Sequence, residues 1–157
     1  MRKPITKKGY EELQKRLELL EKVDRPKIVQ DIVEARAHGD IKENAEYHSA
    51  KEKQSFIEGR INELRGALSS SQIIDTKGLD SESVIFGATV DLINVDSGEK
   101  RVYTLVGEYE TDIERGLISI NSPIARALLK REIGEVVKVN APGGIFEYEI
   151  KNIYFGE

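Results

Sequence analysis

The chain has 157 residues, 39% hydrophobic and 33% charged, which is enough for one or two compact domains and not for a third. It has no Cys, which excludes a disulfide framework, a thiolate metal site and a cysteine nucleophile, and makes a reducing compartment, the cytoplasm, the expected location. The net charge of −4 argues against a strongly basic nucleic-acid-binding domain, and no apolar run approaches the roughly 20 residues of a membrane span.

Residues 1–5 lead directly into helix signals without the apolar core of a signal peptide, so a soluble chain is expected. The average charge conceals two different halves, with 15 basic against 14 acidic residues up to Asp75 and 9 against 14 thereafter. Helical periodicity governs the first half. Thr6 is placed to cap a helix, with Ile5 and Tyr10 at the positions of a hydrophobic staple. Tyr10, Leu13, Leu17 and Leu20 follow 3-4-3 spacing, and Ile28, Ile32 and Ala35 resume it after a slip. Pro26 marks the slip and predicts a bend there, because its ring removes a donor and crowds the Lys22 carbonyl.

A second helix carries Tyr47, Ala50, Gln54, Ile57, Ile61, Leu64 and Leu68 in alternating steps of 3 and 4, the pattern of a coiled-coil seam. Gly39 suits the end of the first helix and Asp40 the cap of the second, and so short a connection makes the helices antiparallel. Arms of about 29 residues would each be roughly 43 Å long. Gly59 and Gly66 within the second helix predict close helix approach.

From Val84 the period changes to two, with strands expected over 84–91, 101–107, 117–121, 136–140 and 146–154. Asp96-Ser97-Gly98 and Pro142-Gly143-Gly144 read as hairpin turns, and Ser122-Pro123 opens a short helix through Leu128. The expected fold class is therefore α+β, divided into a hairpin over 1–75 with its tip at 38–48, a polar linker over 76–83, and a second domain over 84–157.

Catalytic signatures for nucleophilic, nucleotide-binding or zinc chemistry are absent from the sequence. Chemistry concentrates instead at the tip, where Asp40, Glu43 and Glu46 fall within two helical turns. One reading makes Asp40 and Glu43 a capping box that also favours the helix dipole. The other makes the pair ligands to a divalent cation, whose roughly six oxygens would have to be completed from elsewhere. His38 and His48 read as solvated surface imidazoles. Arg36, Lys42, Lys51 and Lys53 form a basic collar that is either a solvated helix face or a phosphate contact.

The segment Gly39-Asp40-Ile41-Lys42-Glu43-Asn44-Ala45-Glu46-Tyr47-His48, with Arg25-Pro26 before it and Ser119-Ile120-Asn121-Ser122-Pro123-Ile124-Ala125-Arg126-Ala127-Leu128 after it, resembles the Gre family of bacterial transcript-cleavage factors, and within it the less basic of two branches. The resemblance covers nearly the whole chain, departing where Lys130-Arg131 stand in place of a frequent Gly-Lys. It implies a long antiparallel coiled-coil hairpin followed by an FKBP-like α+β domain that docks on bacterial RNA polymerase. It further implies that the hairpin enters the polymerase secondary channel and stimulates the polymerase's own cleavage near the 3′ end of backtracked nascent RNA, as an accessory factor rather than an enzyme. Asp40 and Glu43 would then help hold a Mg²⁺ ion jointly with the polymerase, with none bound tightly by the isolated protein, and Arg36 and Lys51 would face the displaced RNA end. A monomer without membrane association is expected. The competing expectations are a non-cleaving secondary-channel regulator or inhibitor of the polymerase and, from the FKBP-like resemblance taken literally, a prolyl isomerase.

Overall fold

The computed structural model describes residues 2–156. Contacts group residues up to Gly9 with Gln72–Glu157 as one compact unit and Tyr10–Ser71 as another, so the boundaries differ from those expected at 75 and 84. The first few residues join the sheet-bearing unit because they form a strand, β1 (Lys3–Thr6), paired with β2 (Ser71–Ile74). Neither strand was expected, since four-residue strands of mixed polarity carry little period-2 signal.

The hairpin unit consists of α1 (Lys7–Leu19, its first turn in the other unit), a π-helical turn over Leu20–Asp24, α2 (Arg25–Ala37) and α3 (Ala45–Ser69). Leu13, Ile28, Ile32 and Ala35 are buried on the first arm and Ala50, Ile61 and Leu64 on the second, as the seams predict, whereas at the end of α3 Ala67 is buried in place of the expected Leu68. The π turn explains the slip. Continued 3-4 spacing from Leu20 would place Asp24, Lys27, Asp31 and Glu34 in the seam, whereas the buried positions Ile28, Ile32 and Ala35 each come one residue later. A π turn takes up one additional residue, and Arg25 N–H accordingly reaches back five residues to the Leu20 carbonyl. Pro26, which lacks an N–H, stands in the first turn of α2 directly after this π turn. Gly59 and Gly66 face open space, so the close approach expected of them is not found.

Pairings between the arms run in opposite directions: Ala35 with Asn44, Arg25 with Glu58, and Glu21 with Arg65. Arg25 donates from Nε and Nη2 to the two Glu58 carboxylate oxygens at 2.7 and 2.9 Å. These hydrogen bonds hold the Glu58 carboxyl below its ordinary value. A lowered folded-state value contributes stability that is present above the ordinary glutamate range of about pH 4 to 5, and that is lost as pH falls through the lowered value. The effect is small because the two side chains are 34% and 42% exposed. In acid titrations of helical ellipticity, Glu58→Gln is expected to lack this portion of the acid loss.

The second unit is a five-stranded sheet in the order β5-β4-β3-β7-β6, formed by β3 (Thr89–Asn94), β4 (Lys100–Val106), β5 (Leu117–Ser119), β6 (Val136–Ala141) and β7 (Gly144–Tyr154). All pairs are antiparallel except β4 with β5. Its core gathers Val90, Leu92, Leu105, Val139 and Ile150 from the sheet with Leu128 from α4 (Pro123–Leu128). Ser122 caps α4, its Oγ accepting from Ala125 N–H at 3.3 Å, as expected. The fold is α+β.

Strand β3 begins at Thr89 rather than Val84. Gly87, at φ +88°, turns the chain, and Val84 exchanges backbone hydrogen bonds with Lys130 and Arg131 instead. Lys130 itself lies at φ +71°, a conformation that glycine adopts without strain. Thr76, expected in a linker, lies so near Gly87 that a Cβ on that glycine would overlap its methyl group.

Candidate functional site

Helix α2 ends where His38 N–H bonds the Ala35 carbonyl at 3.2 Å and Gly39 takes φ +144°. Residues 40–43 form a short exposed loop, and α3 begins at Ala45 behind an extended Asn44. The helix cap is therefore Asn44 and not Asp40, and the expected capping box of Asp40 with Glu43 does not form. Asn44 Oδ1 accepts from Tyr47 N–H at 3.1 Å while its Nδ2 donates to the Ala35 carbonyl at 2.5 Å. One side chain thus satisfies an orphan donor of α3 and adds a second bond to the Ala35 carbonyl, which also accepts from His38 N–H. A carboxylate has no donor for the second task, which explains why asparagine holds this position. The missed signal was an asparagine three residues ahead of Tyr47, the first seam position. Replacing Asn44 by alanine is expected to destabilise the hairpin by about 1–2 kcal/mol, read from thermal melts of helical ellipticity.

Asp40 instead makes a local turn, its Oδ1 accepting from Lys42 N–H at 3.1 Å. Glu43 is exposed and makes no side-chain hydrogen bond or ion pair among the described residues. The two acids therefore flank Lys42 on one loop. His38 and His48, read as solvated, both have partners: His38 Nδ1 lies 3.2 Å from Glu46 Oε2, and His48 Nε2 lies 3.2 Å from the Lys42 carbonyl. The His38–Glu46 pair is 66% and 72% exposed, so it adds little stability.

Arg36 and Lys51 are exposed on α2 and α3, and Lys51 Nζ donates to Gln54 on its own helix at 3.1 Å. No described side-chain hydrogen bond or ion pair links either of them to Asp40 or Glu43.

Two carboxylates are hard oxygen donors suited to Mg²⁺, and Glu43 is uncommitted. Among the described residues no group of three or more His, Asp or Glu side chains could hold a metal ion. Two such donors would fill only part of an octahedral shell.

The family described as "Transcription elongation factor, N-terminal" matches residues 3–73, and that described as "Transcription elongation factor, GreA/GreB, C-term" matches residues 79–155. The chain belongs to the GreA/GreB transcription elongation factor family. It is 55% identical over 153 residues to transcription elongation factor GreA of Alkalilimnicola ehrlichii, covering 97% of each chain. It is 53% identical over 152 residues to GreA of Jannaschia sp., again covering 97% of each. Among solved structures it is similar to GreA factor homolog 1 of Thermus thermophilus, at 26% identity and a TM-score of 0.45, covering 98% of this chain and 99% of that one. No helix of the described residues of this Gre-family chain is long and apolar enough to cross a membrane.

Proposed function

We propose that this Gre-family chain is a cytoplasmic accessory factor that binds bacterial RNA polymerase through its sheet-bearing unit. The hairpin enters the secondary channel and stimulates the polymerase's own Mg²⁺-dependent cleavage of backtracked RNA near its 3′ end, rescuing arrested complexes. Family membership supports the transcriptional role. The observation that carries the finer reading is the hairpin loop on which Asp40 and Glu43 stand exposed beside Lys42, as an incomplete pair of ligands.

Asp40 and Glu43 would hold the ion jointly with polymerase carboxylates. When bound, the ion stabilises charge on the oxygens of phosphoryl transfer and lowers the pKa of attacking water. Asp40 is oriented by the Lys42 N–H, and Glu43 projects from the following peptide with its oxygens free for an ion or a water. Arg36 and Lys51 would meet the phosphates of the displaced RNA end.

The test is addition of the purified chain to a stalled, backtracked bacterial polymerase complex with 3′-labelled RNA and Mg²⁺. Release of short 3′ fragments is expected. Binding that blocks nucleotide addition without shortening the RNA would support the non-cleaving regulator instead.

A further inference from the structure

We propose that His48 is a positioning residue for the two tip acids, an inference that rests on the cleavage function proposed above and deepens it. A carbonyl oxygen can only accept, so the 3.2 Å contact with Lys42 O places a proton on His48 Nε2. Lys42 N–H in turn donates to Asp40 Oδ1 at 3.1 Å. Both peptide groups of Lys42, one of the two residues between the acids, are thus held by side chains, one from the loop and one from α3. The Lys42 carbonyl belongs to the planar peptide that contains the Glu43 Cα, so fixing that oxygen fixes the plane from which the Glu43 side chain leaves the backbone.

His48 is itself steadied. Its ring meets that of Tyr47 edge to face, with centroids 5.5 Å apart and planes at 70°. Tyr47 is half-buried beside the small core of Ile28, Ile32 and Ala50, so the imidazole is referred back to the packed seam. The seven-residue connection 38–44 between α2 and α3 would otherwise let Glu43 sample many directions. A ligand delivered to a shared ion must arrive in one of them. This gives the exposed histidine a task that solvation alone does not.

The test compares His48→Phe, which keeps a ring and loses the donor, with His48→Gln, whose side-chain amide restores an N–H of similar reach. Two readouts are taken: maximal cleavage rate on the backtracked complex at saturating factor, and amide hydrogen exchange of residues 40–43 in the free protein. His48→Phe is expected to lower the rate about tenfold, since small misplacements of a reacting constellation are costly. It should also raise the Mg²⁺ concentration needed for half-maximal rate and speed exchange of the Lys42 amide, with polymerase affinity and melting temperature unchanged. His48→Gln is expected to return both readouts close to wild type. Unaltered rate and exchange in His48→Phe, or a His48→Gln no better than His48→Phe, would overturn the proposal. Failure of the wild-type chain to stimulate cleavage strikes the proposed function instead, and the exchange comparison then decides by itself whether His48 holds the loop.

Discussion

Asp40→Asn is expected to lower stimulated RNA cleavage by about a hundredfold or more while leaving polymerase binding within about twofold, on the scale of removing one electrostatic contact to a transition state. The substitution separates two properties of one side chain. Asparagine keeps an Oδ1 that accepts from Lys42 N–H, so the turn at 3.1 Å is retained. What disappears is the negative charge that makes a carboxylate a strong Mg²⁺ ligand. Glu43→Gln should behave in the same way with even less structural consequence, because Glu43 makes no side-chain bond among the described residues. Cleavage rates at saturating factor, with affinity measured separately by competition, decide the matter. Binding that falls in step with cleavage would make the acids structural parts of the tip.

Glu110→Ala is expected to destabilise the sheet-bearing unit by about 2–3 kcal/mol, from the number of donors that lose their acceptor. Glu110 lies in a 3₁₀ turn over Glu108–Glu110, yet its carboxylate accepts from Thr6 N–H at 3.0 Å, from the Thr6 hydroxyl, and from Gly107 N–H at 2.8 Å. Thr6 Oγ1 meanwhile accepts from Gly9 N–H at 3.0 Å, which is the cap expected at the start of α1. In an ordinary capping box the residue three beyond the cap supplies the carboxylate that returns to the cap's own N–H. Here that position is Gly9, and the carboxylate arrives from 104 residues away. The glycine is required, because a Cβ there would overlap Glu110 Oε1. Gly9→Ala should therefore lower the melting temperature in the same direction as Glu110→Ala. A Glu110→Ala protein that melts within a degree of wild type would contradict this account.

Local pattern made much of the fold legible. The 3-4 seams of both arms, the anomaly at Pro26, the Ser122 cap of α4 and the change to period two in the second half are set by residues close in sequence. Choosing between Asp40 and Asn44 as the cap of α3 was harder, because both are competent acceptors. The choice turned on a donor reaching Ala35 across the hairpin. Glu110 was invisible for a stronger reason, since nothing in its neighbourhood distinguishes it from an exposed glutamate until Thr6 is brought beside it. The candidate tip acids stand out by their crowding on a short connection, whereas His48, an exposed imidazole, has no periodic signature. Its partner is a backbone carbonyl, which every residue possesses and no sequence advertises.

The π turn over Leu20–Asp24 resets the phase of the first arm against an α3 that runs unbroken from Ala45 to Ser69. On its tip side, Ile28, Ile32 and Ala50 form a small core of their own, with Tyr47 and Ile57 packed against it. With that phase reset, and the arms fastened at the π turn and just after it by Glu21–Arg65 and Arg25–Glu58, one inserted residue keeps the apolar stripe turned toward α3 all the way to the loop that bears the acids.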